Sequence, residues 1–334
     1  MGRMIDGEWH KEDNRTESDG RFVRATTSFR DNVTADGSSG FKAEPGRYHL
    51  YVSHACPWAH RTMILRALRG LEDVISVSVV DPFMGDDGWH FSEGPGCIPD
   101  AVNDTHYLRE VYKLAQDDYT GRVSVPVLWD KTEKTIVNNE SAEIIRMLNS
   151  AFDAWGDSEP DLYPPALRDE IGAINEPIYE HVNNGVYKAG FAQSQSSYES
   201  AVDALFATLD ELEARLDSQR YLTGACITEA DWRLFPTLVR FDAVYVGHFK
   251  CNMRRIEDYP SLSNYLRELY QYPGVADTVN MAHIKGHYYG SHVSVNPTRI
   301  VPKGPELDFT RPHDRDRLPG STVRANCAAL RTCA

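Results

Sequence analysis

The sequence predicts an α/β domain followed by an all-helical domain, and three observations support this fold class. Strand and helix patterns alternate from residue 48 to residue 148, and only helical patterns follow from about Leu162. At 334 residues the chain is long enough for two domains of ordinary size, each with its own core. We predict an N-terminal extended arm at 1–44, the α/β domain at 45–155, the helical domain at 165–303 and a C-terminal tail at 304–334.

The first strand and helix of the α/β domain place one cysteine at their junction. Apolar and polar residues alternate over 48–52, which is the period of a strand, and apolar residues recur at helical spacing after Pro57. Proline suits the first helical position, so Cys56 lies at the helix N-terminus. The backbone N–H groups there stabilise a thiolate and lower the thiol pKa below its usual value of roughly 8.5. Cys56 is therefore the candidate nucleophile.

The neighbourhood of Cys56 limits the redox chemistry that it can do. A free cysteine is often just a small buried apolar residue, which is the alternative interpretation of Cys56. The usual redox motif of this geometry is C-x-x-C, but the position three residues after Cys56 is Ala59. Without a local second thiol, a catalytic cycle needs a thiol from solution. We therefore expect a small thiol cosubstrate.

A second strand and a long loop follow the first helix. The alternating pattern over 74–80 predicts a strand that completes a β-α-β unit. The loop from about 81 to 104 is rich in Gly, Asp and Pro and carries Trp89. Loops of this length are usually functional or disordered, and the aromatic residues favour an ordered loop beside a site. A helix is predicted over 107–119.

Two further segments have features of a site for a peptide-like ligand. Pro126 interrupts an otherwise good strand over 121–130, which predicts an edge strand or a bend unless the Val125–Pro126 bond is cis. A cis bond here would turn backbone N–H and C=O groups outward, toward an extended ligand. A helix then begins near Ser141, with Glu140 beside it, and this corner can hold an ammonium and a carboxylate. The alternative is that both residues only start a helix.

The second half of the chain has patterns of a helical bundle. A capping box, Thr228 to Asp231, precedes an apolar helix, and prolines bound another helix over 260–272. One helix, over 198–216, carries an apolar stripe formed by Val202, Leu205, Phe206, Leu209, Leu212 and Leu216.

Composition excludes several classes of partner. The formal charge is −14, from 35 basic and 49 acidic residues, which argues against nucleic acid as a partner. No apolar run approaches the roughly 20 residues that span a bilayer, and the N-terminus is polar, so we expect no membrane and a cytoplasmic location.

The cysteines and histidines indicate neither a disulfide framework nor a metal site. Six cysteines lie far apart, so reduced thiols are expected. His283, His287 and His292 are close in sequence, but they lack the glutamate of H-E-x-x-H and show no clear helical pattern. No metal site is predicted.

Several motifs together resemble those of a known family. The first is Cys56-Pro-Trp-Ala-His60, and it is joined by Gly88-Trp89, Asn183 to Phe191, Arg240 to Lys250 and His287-Tyr-Tyr289. The chain resembles the glutathione transferases, and over about residues 40–302 the glutathionyl-hydroquinone reductases, or Xi class. The Cys-Pro motif is shared with the omega class, whereas the tyrosine-bearing motifs are more specific. The resemblance implies a thioredoxin-like N-terminal domain and an all-helical glutathione-transferase C-terminal domain.

The resemblance also implies an activity and the residues that perform it. The family uses glutathione to reduce glutathionyl-hydroquinones to hydroquinones through a mixed disulfide between glutathione and the nucleophile, here Cys56. Tyr187 matches the proton donor or acceptor, and Tyr245 and Tyr288 match tyrosines that lower the cysteine pKa. The chain has 17 tyrosines, so the alternative for each of these three is that it is a packing residue without a catalytic role.

By the same resemblance, glutathione or a related low-molecular-weight thiol is a cosubstrate, no cofactor is tightly bound, and the protein is a homodimer. Trp89 matches a residue that packs on glutathione; the alternative is a hydrophobic plug that holds its loop. The implied glutathione-binding residues are Trp89, Arg122, Val123, Ser124, Val125, Glu140 and Ser141.

Two other functions remain open from the sequence. An omega-like thiol transferase, or dehydroascorbate reductase, would use the same cysteine on other substrates, and relative turnover separates the two enzymes. A non-catalytic thiol-binding redox sensor would bind the thiol but keep an unperturbed Cys56 pKa.

Overall fold

A computed structural model describes residues 2–11 and 16–320, which form two compact units. The first unit contains the described residues of 1–15, 24–158 and 277–301, and the second contains 16–23, 159–276 and the described residues from 302 onward. The strands are β1 (Arg3–Ile5), β2 (Glu8–His10), β3 (Val33–Thr34), β4 (Phe41–Lys42), β5 (Tyr48–Val52), β6 (Ser76–Val79), β7 (Val127–Asp130) and β8 (Thr135–Asn138). The α-helices are α1 (Pro57–Leu68), α2 (Leu108–Ala115), α3 (Ser141–Ser150), α4 (Arg168–Pro177), α5 (Gly185–Gly190), α6 (Gln195–Ser218), α7 (Glu229–Arg240), α8 (Pro260–Tyr270) and α9 (Met281–Ser291).

The first unit is built on a four-stranded mixed sheet with the order β6-β5-β7-β8. Strand β5 runs parallel to β6, which confirms the predicted β-α-β unit, and antiparallel to β7, which in turn runs antiparallel to β8. Every residue of β5 is buried, as expected for a central strand covered on both faces. Helices α1 and α3 pack together.

The region around Pro126 differs from a simple edge strand. Strand β7 begins at Val127, directly after the proline, so no ladder position needs the missing N–H. The strand lies inside the sheet, between β5 and β8. The Val125–Pro126 peptide bond is cis, which is the alternative that the sequence left open.

The N-terminal segment is more ordered than an extended arm. It starts with a hairpin of β1 and β2 around Asp6 and Gly7, which both have positive φ, as a two-residue type I′ turn requires. The Asp-Gly pair in the sequence is the signal for this hairpin. Met4 then exchanges two backbone hydrogen bonds with Gly121, of 2.8 and 3.0 Å, so the hairpin is joined to the loop before β7.

The segment that carries the three histidines is helical, which corrects the sequence prediction. Helix α9 is grouped with the first unit, whereas the predicted boundaries assign it to the helical half; those boundaries stay a prediction. An amphipathic pattern is missing because buried polar side chains, including those of His283 and His287, occupy positions that apolar residues take in most packed helices.

The second unit is a helical bundle. All six residues of the predicted α6 stripe are buried, and α6 packs against α5 and α8. The capping box at the start of α7 is confirmed: the Thr228 N–H donates to the Asp231 carboxylate at 2.7 Å. Two segments, Ile178–Asn183 and Phe241–Tyr245, are π-helical; the first is followed one residue later by α5, and the second directly follows α7.

Part of the C-terminal segment is firmly held, although the sequence predicts a loose tail. Arg315 is fully buried and donates hydrogen bonds to the carbonyls of Leu216, Gln219 and Arg220, at 2.5 to 2.6 Å. Its guanidinium lies 3.7 Å from the carboxylate of Glu268, which also accepts a hydrogen bond from Arg220. Burial of a cation is tolerated here because carbonyls and a carboxylate surround it.

One cysteine departs from the expectation of reduced thiols. Cys226 takes part in a disulfide. Cys56, Cys97 and Cys251 are not in disulfides, and Cys327 and Cys333 lie outside the described residues.

We predict that Arg315→Met lowers the free energy of unfolding by about 3 kcal/mol, because three buried carbonyls lose their donors and one charge of a buried cluster is removed. Chemical denaturation measures this loss. Arg317→Met is the matched control: Arg317 is half-exposed, its ion pair with Asp217 spans 3.4 Å, and its removal should cost less than about 1 kcal/mol. Equal losses in the two variants would contradict the structural role of Arg315.

Candidate functional site

Cys56 lies at the N-cap position of α1, as the sequence predicts. Its backbone is extended, with φ −77° and ψ 121°, and its side chain makes no capping bond to the helix. The Sγ atom lies 3.5 Å from the carbonyl oxygen of Val125, on the segment before β7. Cys56 is partly buried and is not sealed in the core.

The backbone beside the thiol has an open hydrogen-bonding position. Within residues 2–11 and 16–320, the amide N–H of Val125 makes no backbone hydrogen bond, although Val125 itself is buried. A backbone amide without a backbone partner can donate to a ligand that supplies an acceptor. The segment 122–125 therefore offers the main-chain contact that the sequence predicts for a peptide-like ligand.

The start of α3 forms the second part of the site. Helix α3 begins at Ser141, and the carboxylate of Glu140 accepts a hydrogen bond from the Ala142 N–H at 3.1 Å and from the Thr27 hydroxyl at 3.3 Å. Arg61 of α1 donates to the Ser141 hydroxyl at 3.3 Å. Glu140 retains lone pairs that can accept from an ammonium group, while the N-terminus of α3 favours a carboxylate.

Tyr112 of α2 joins these two parts, a role that no sequence pattern predicts. Its fully buried hydroxyl donates to the Ser124 carbonyl at 2.8 Å and accepts from the Ser124 N–H at 3.3 Å and the Asn139 side chain at 3.0 Å. Burial raises the pKa of Tyr112, so the phenol stays protonated and keeps its donor. One side chain thus fixes the backbone on both sides of the candidate site.

The N-terminal segment supports the same backbone. Phe29 and Asn139 form two hydrogen bonds: the Asn139 N–H donates to the Phe29 carbonyl at 3.1 Å, and the Phe29 N–H donates to the Asn139 side chain at 3.2 Å. Tyr119, which stacks on Phe29 at 5.6 Å, donates to the Arg122 carbonyl at 3.0 Å. Residues far from the site in sequence therefore hold the two segments that bear predicted ligand-binding residues.

Trp89 lies on the loop after β6 and is nearly buried. Its ring stacks on that of His287 in α9, with centroids 4.7 Å apart and an angle of 24° between the planes. Trp9 of the N-terminal hairpin also reaches this loop and donates to the Asp86 carbonyl at 3.0 Å. The stacking on His287 agrees with the alternative that Trp89 holds its loop in place, and the contact with glutathione stays a prediction.

The three predicted catalytic tyrosines are divided between the units. Tyr288 lies on α9 in the first unit and is buried against the rings of His287 and His292. Tyr187 and Tyr245 lie in the second unit, with ring centroids 6.3 Å apart. Tyr245 ends one π-helical segment, and Tyr187 follows the other within α5. Such π-helical segments often occur at functional sites.

The histidines of α9 do not form a metal site. No group of three or more His, Cys, Asp or Glu side chains in the described part of the chain has the geometry to hold a metal ion. His283 Nε2 and His287 Nδ1 contact carbonyl oxygens instead, at 2.7 and 2.9 Å.

Comparisons with protein families match both halves of the chain. Residues 55–151 match the glutathione S-transferase N-terminal domain, and residues 195–268 match the glutathione S-transferase C-terminal domain. These matches agree with the mixed sheet of the first unit and the helical bundle of the second.

Two curated relatives and two solved structures are similar over nearly the whole chain. Glutathionyl-hydroquinone reductase PcpF of Sphingobium chlorophenolicum is 56% identical, over 97% of this chain and all of the relative. Glutathionyl-hydroquinone reductase YqjG of Escherichia coli is 54% identical, over 95% and 99%. The Xi-class transferase from Natrialba magadii aligns with a TM-score of 0.91 at 52% identity, covering 96% and 98%, and the glutathione-bound structure of YqjG with 0.88 at 53%, covering 94% and 99%.

We predict that Tyr112→Phe weakens glutathione binding about tenfold, because the Ser124 carbonyl and the Asn139 side chain lose a buried partner and the ligand-facing backbone is no longer fixed. Isothermal titration calorimetry on the Cys56→Ser background measures the affinity without turnover. Tyr198→Phe is the matched control, since it removes a phenol hydrogen bond of 2.7 Å to the Lys250 carbonyl in the second unit. Parental affinity in Tyr112→Phe would contradict this role.

Proposed function

The chain belongs to the Xi-class glutathione transferases, the glutathionyl-hydroquinone reductases, and we propose that it reduces glutathionyl-hydroquinones to hydroquinones with glutathione as the reductant. The observation that carries this proposal is the position of Cys56. A partly buried thiol that is in no disulfide lies at the N-terminus of α1, 3.5 Å from the backbone segment that we assign to the peptide ligand. Ala59 stands where a dithiol enzyme has its second cysteine.

The proposed reaction has two steps. The Cys56 thiolate attacks the glutathionyl sulfur, a sulfur–sulfur bond forms, and the bond between sulfur and the aryl carbon breaks. The electron pair of that bond goes to the aryl carbon, which takes a proton, so the hydroquinone is released. A second glutathione, as thiolate, then attacks the mixed disulfide, which yields oxidised glutathione and restores the Cys56 thiolate.

The ionisation of Cys56 follows from its surroundings in this proposal. The first N–H groups of α1 point toward the N-cap residue, and they favour a negative charge on sulfur. Tyr245 and Tyr288 supply hydroxyl donors to the thiolate and lower its pKa further, since a hydrogen bond to the charged form stabilises that form.

An aryl carbanion is a poor leaving group, so the first step needs an acid. We assign this role to Tyr187, whose phenol gives its proton to the leaving carbon. Glutathione itself is held by the backbone of Val125 and the side chains of Glu140 and Ser141, and it packs on Trp89. Arg122, Val123 and Ser124 complete the binding segment.

A homodimer in the cytoplasm is the assembly and location that we propose. Membership of the glutathione transferases supports the dimer, and light scattering after size exclusion tests it. In the described residues no helix is both long enough and apolar enough to cross a bilayer.

The central prediction concerns the thiol. After mixing with glutathionyl-hydroquinone, intact-protein mass spectrometry should show one added glutathione on Cys56 and free hydroquinone in solution. Cys56→Ser should lower hydroquinone release by at least about a thousandfold, because the nucleophile is lost. Cys97→Ser is the matched control: burial raises the pKa of the Cys97 thiol, so it stays protonated near neutrality. Substantial activity in Cys56→Ser would exclude the proposed mechanism.

A separate prediction tests the acid. Tyr187→Phe should slow hydroquinone release by about a hundredfold or more, the usual contribution of a positioned general acid. Oxidised glutathione provides an internal control, because its leaving group is a thiolate that needs no phenol. The variant should therefore form the mixed disulfide from oxidised glutathione at the parental rate. If both rates fall equally, Tyr187 acts on binding or on the thiol rather than as the acid.

A thiol transferase of the omega type is the second candidate, because a relative from Schizosaccharomyces pombe with 47% identity is named glutathione S-transferase omega-like 2. Turnover of dehydroascorbate and of glutathionyl-hydroquinone by the same preparation separates the two functions. Higher kcat/KM for dehydroascorbate would favour the transferase.

A further inference from the structure

One face of α9 carries three polar side chains that all point at the loop bearing Trp89. His283, His287 and Ser291 are spaced by four residues, so they lie above one another on the same face of the helix. The loop they contact runs from 82 to 96 and is irregular. Neither the mechanism above nor a metal site uses these side chains.

Each of the three side chains forms a hydrogen bond with the backbone of the loop, and Ser291 shares the Pro82 carbonyl with His287, at 3.5 Å. His283 Nε2 donates to the Pro95 carbonyl at 2.7 Å, and His287 Nδ1 donates to the Pro82 carbonyl at 2.9 Å. The Ser291 hydroxyl accepts from the Met84 N–H at 2.9 Å. Both ends of the loop are therefore fixed to a single helix.

Trp89 lies between these fixed ends and touches the same helix. Its stacking on His287 sets the orientation of the indole. His287 thus contacts the loop through its Nδ1 donor and also through its ring face. The loop also packs closely against α9 at Gly96, where φ is +79°. A Cβ added at Gly96 would lie 2.8 Å from His283 Nε2.

We propose that His283, His287 and Ser291 are positioning residues that fix the loop 82–96 on α9 and thereby set the affinity for glutathione through Trp89. This inference rests on the proposed contact between Trp89 and glutathione. A loop held at both ends presents the indole in one orientation, so the ligand does not have to order it on binding. A loop released at either end leaves that ordering cost to the ligand.

The donor requirement explains why histidine occupies these positions. A leucine at 283 would remove the side-chain donor of the Pro95 carbonyl. A leucine at 287 would leave the Pro82 carbonyl with only the longer hydrogen bond of 3.5 Å from the Ser291 hydroxyl. A carbonyl only accepts, so His283 carries its proton on Nε2 and His287 on Nδ1.

The test compares variants that differ only in whether the donor is kept. His283→Leu removes the donor to Pro95, whereas His283→Gln keeps an N–H at the place of Nε2. Neither change touches Trp89. Ser291→Ala removes the hydroxyl that accepts from the Met84 N–H, and it should weaken the attachment of the loop to α9 less than His283→Leu does. His181→Leu is the matched control, because it breaks a 3.1 Å histidine–hydroxyl bond to Thr208 in the second unit.

Three measurements are made on each full-length variant, beginning with hydrogen–deuterium exchange of the amides in 82–96. Calorimetry then gives the affinity for reduced glutathione. The third measurement is the rate at which iodoacetamide, which needs no peptide site, alkylates Cys56. In His283→Leu we expect faster exchange in the loop, about tenfold weaker glutathione binding and a parental alkylation rate. His283→Gln should be close to the parent, and Ser291→Ala should speed exchange of the Met84 amide.

The exchange, affinity and alkylation measurements test the proposal without any measurement of hydroquinone release. Parental exchange of the loop in both His283→Leu and Ser291→Ala overturns it, and so does faster exchange with unchanged affinity. A loss of Cys56 alkylation would show that His283 acts on the thiol and would also overturn it. If the parent binds glutathione but releases no hydroquinone, the proposed function fails while the loop measurements still stand.

Discussion

The antiparallel pairing of β5 with β7 is the constraint on which the candidate site depends. Residues that follow a strand lie beside residues that precede its antiparallel partner, and the register pairs Tyr51 with Val127. The chain leaves β5 toward Cys56 and enters β7 from Val125, so sulfur and ligand-facing backbone meet although 69 residues separate them. A slip of one residue would exchange the two faces of the strand and break this meeting. The register of the sheet thus places the Cys56 thiol beside the backbone of Val125.

The segment before β7 gains its order from side chains rather than from a strand partner. A phenol can donate one hydrogen bond and accept two, and Tyr112 uses all three with Ser124 and Asn139. Tyr119 and the N-terminal segment, through Phe29, fix the flanking carbonyls. Because these bonds satisfy the neighbouring backbone and leave the Val125 amide open, the segment is rigid where it is supported and available where a ligand would bind.

Short-range sequence patterns predicted the helices and strands. They could not predict contacts between residues that are far apart in the chain. The alternation over 48–52, Pro57 at the first helical position and the Thr228 capping box each depend on residues within a few positions, so the sequence contained them. The role of Tyr112 could not be predicted, because its partners lie 12 and 27 residues away and a tyrosine in an amphipathic helix is most often a packing residue. Helix α9 was missed because buried polar side chains replace its apolar stripe. The buried anchor Arg315 likewise depends on carbonyls almost 100 residues earlier.

The same helix links the loop and one of the predicted catalytic residues. Tyr288 directly follows His287, so its ring projects from a neighbouring face of α9 and is buried while His287 contacts Trp89 and Pro82. Because α9 is a rigid hydrogen-bonded element, anchoring the loop on it also fixes the loop relative to Tyr288. In α9, His283 and His287 each donate one ring N–H to a loop carbonyl, so the pair anchors the backbone of the loop. In the proposed mechanism the reacting groups are the Cys56 sulfur and the tyrosine phenols.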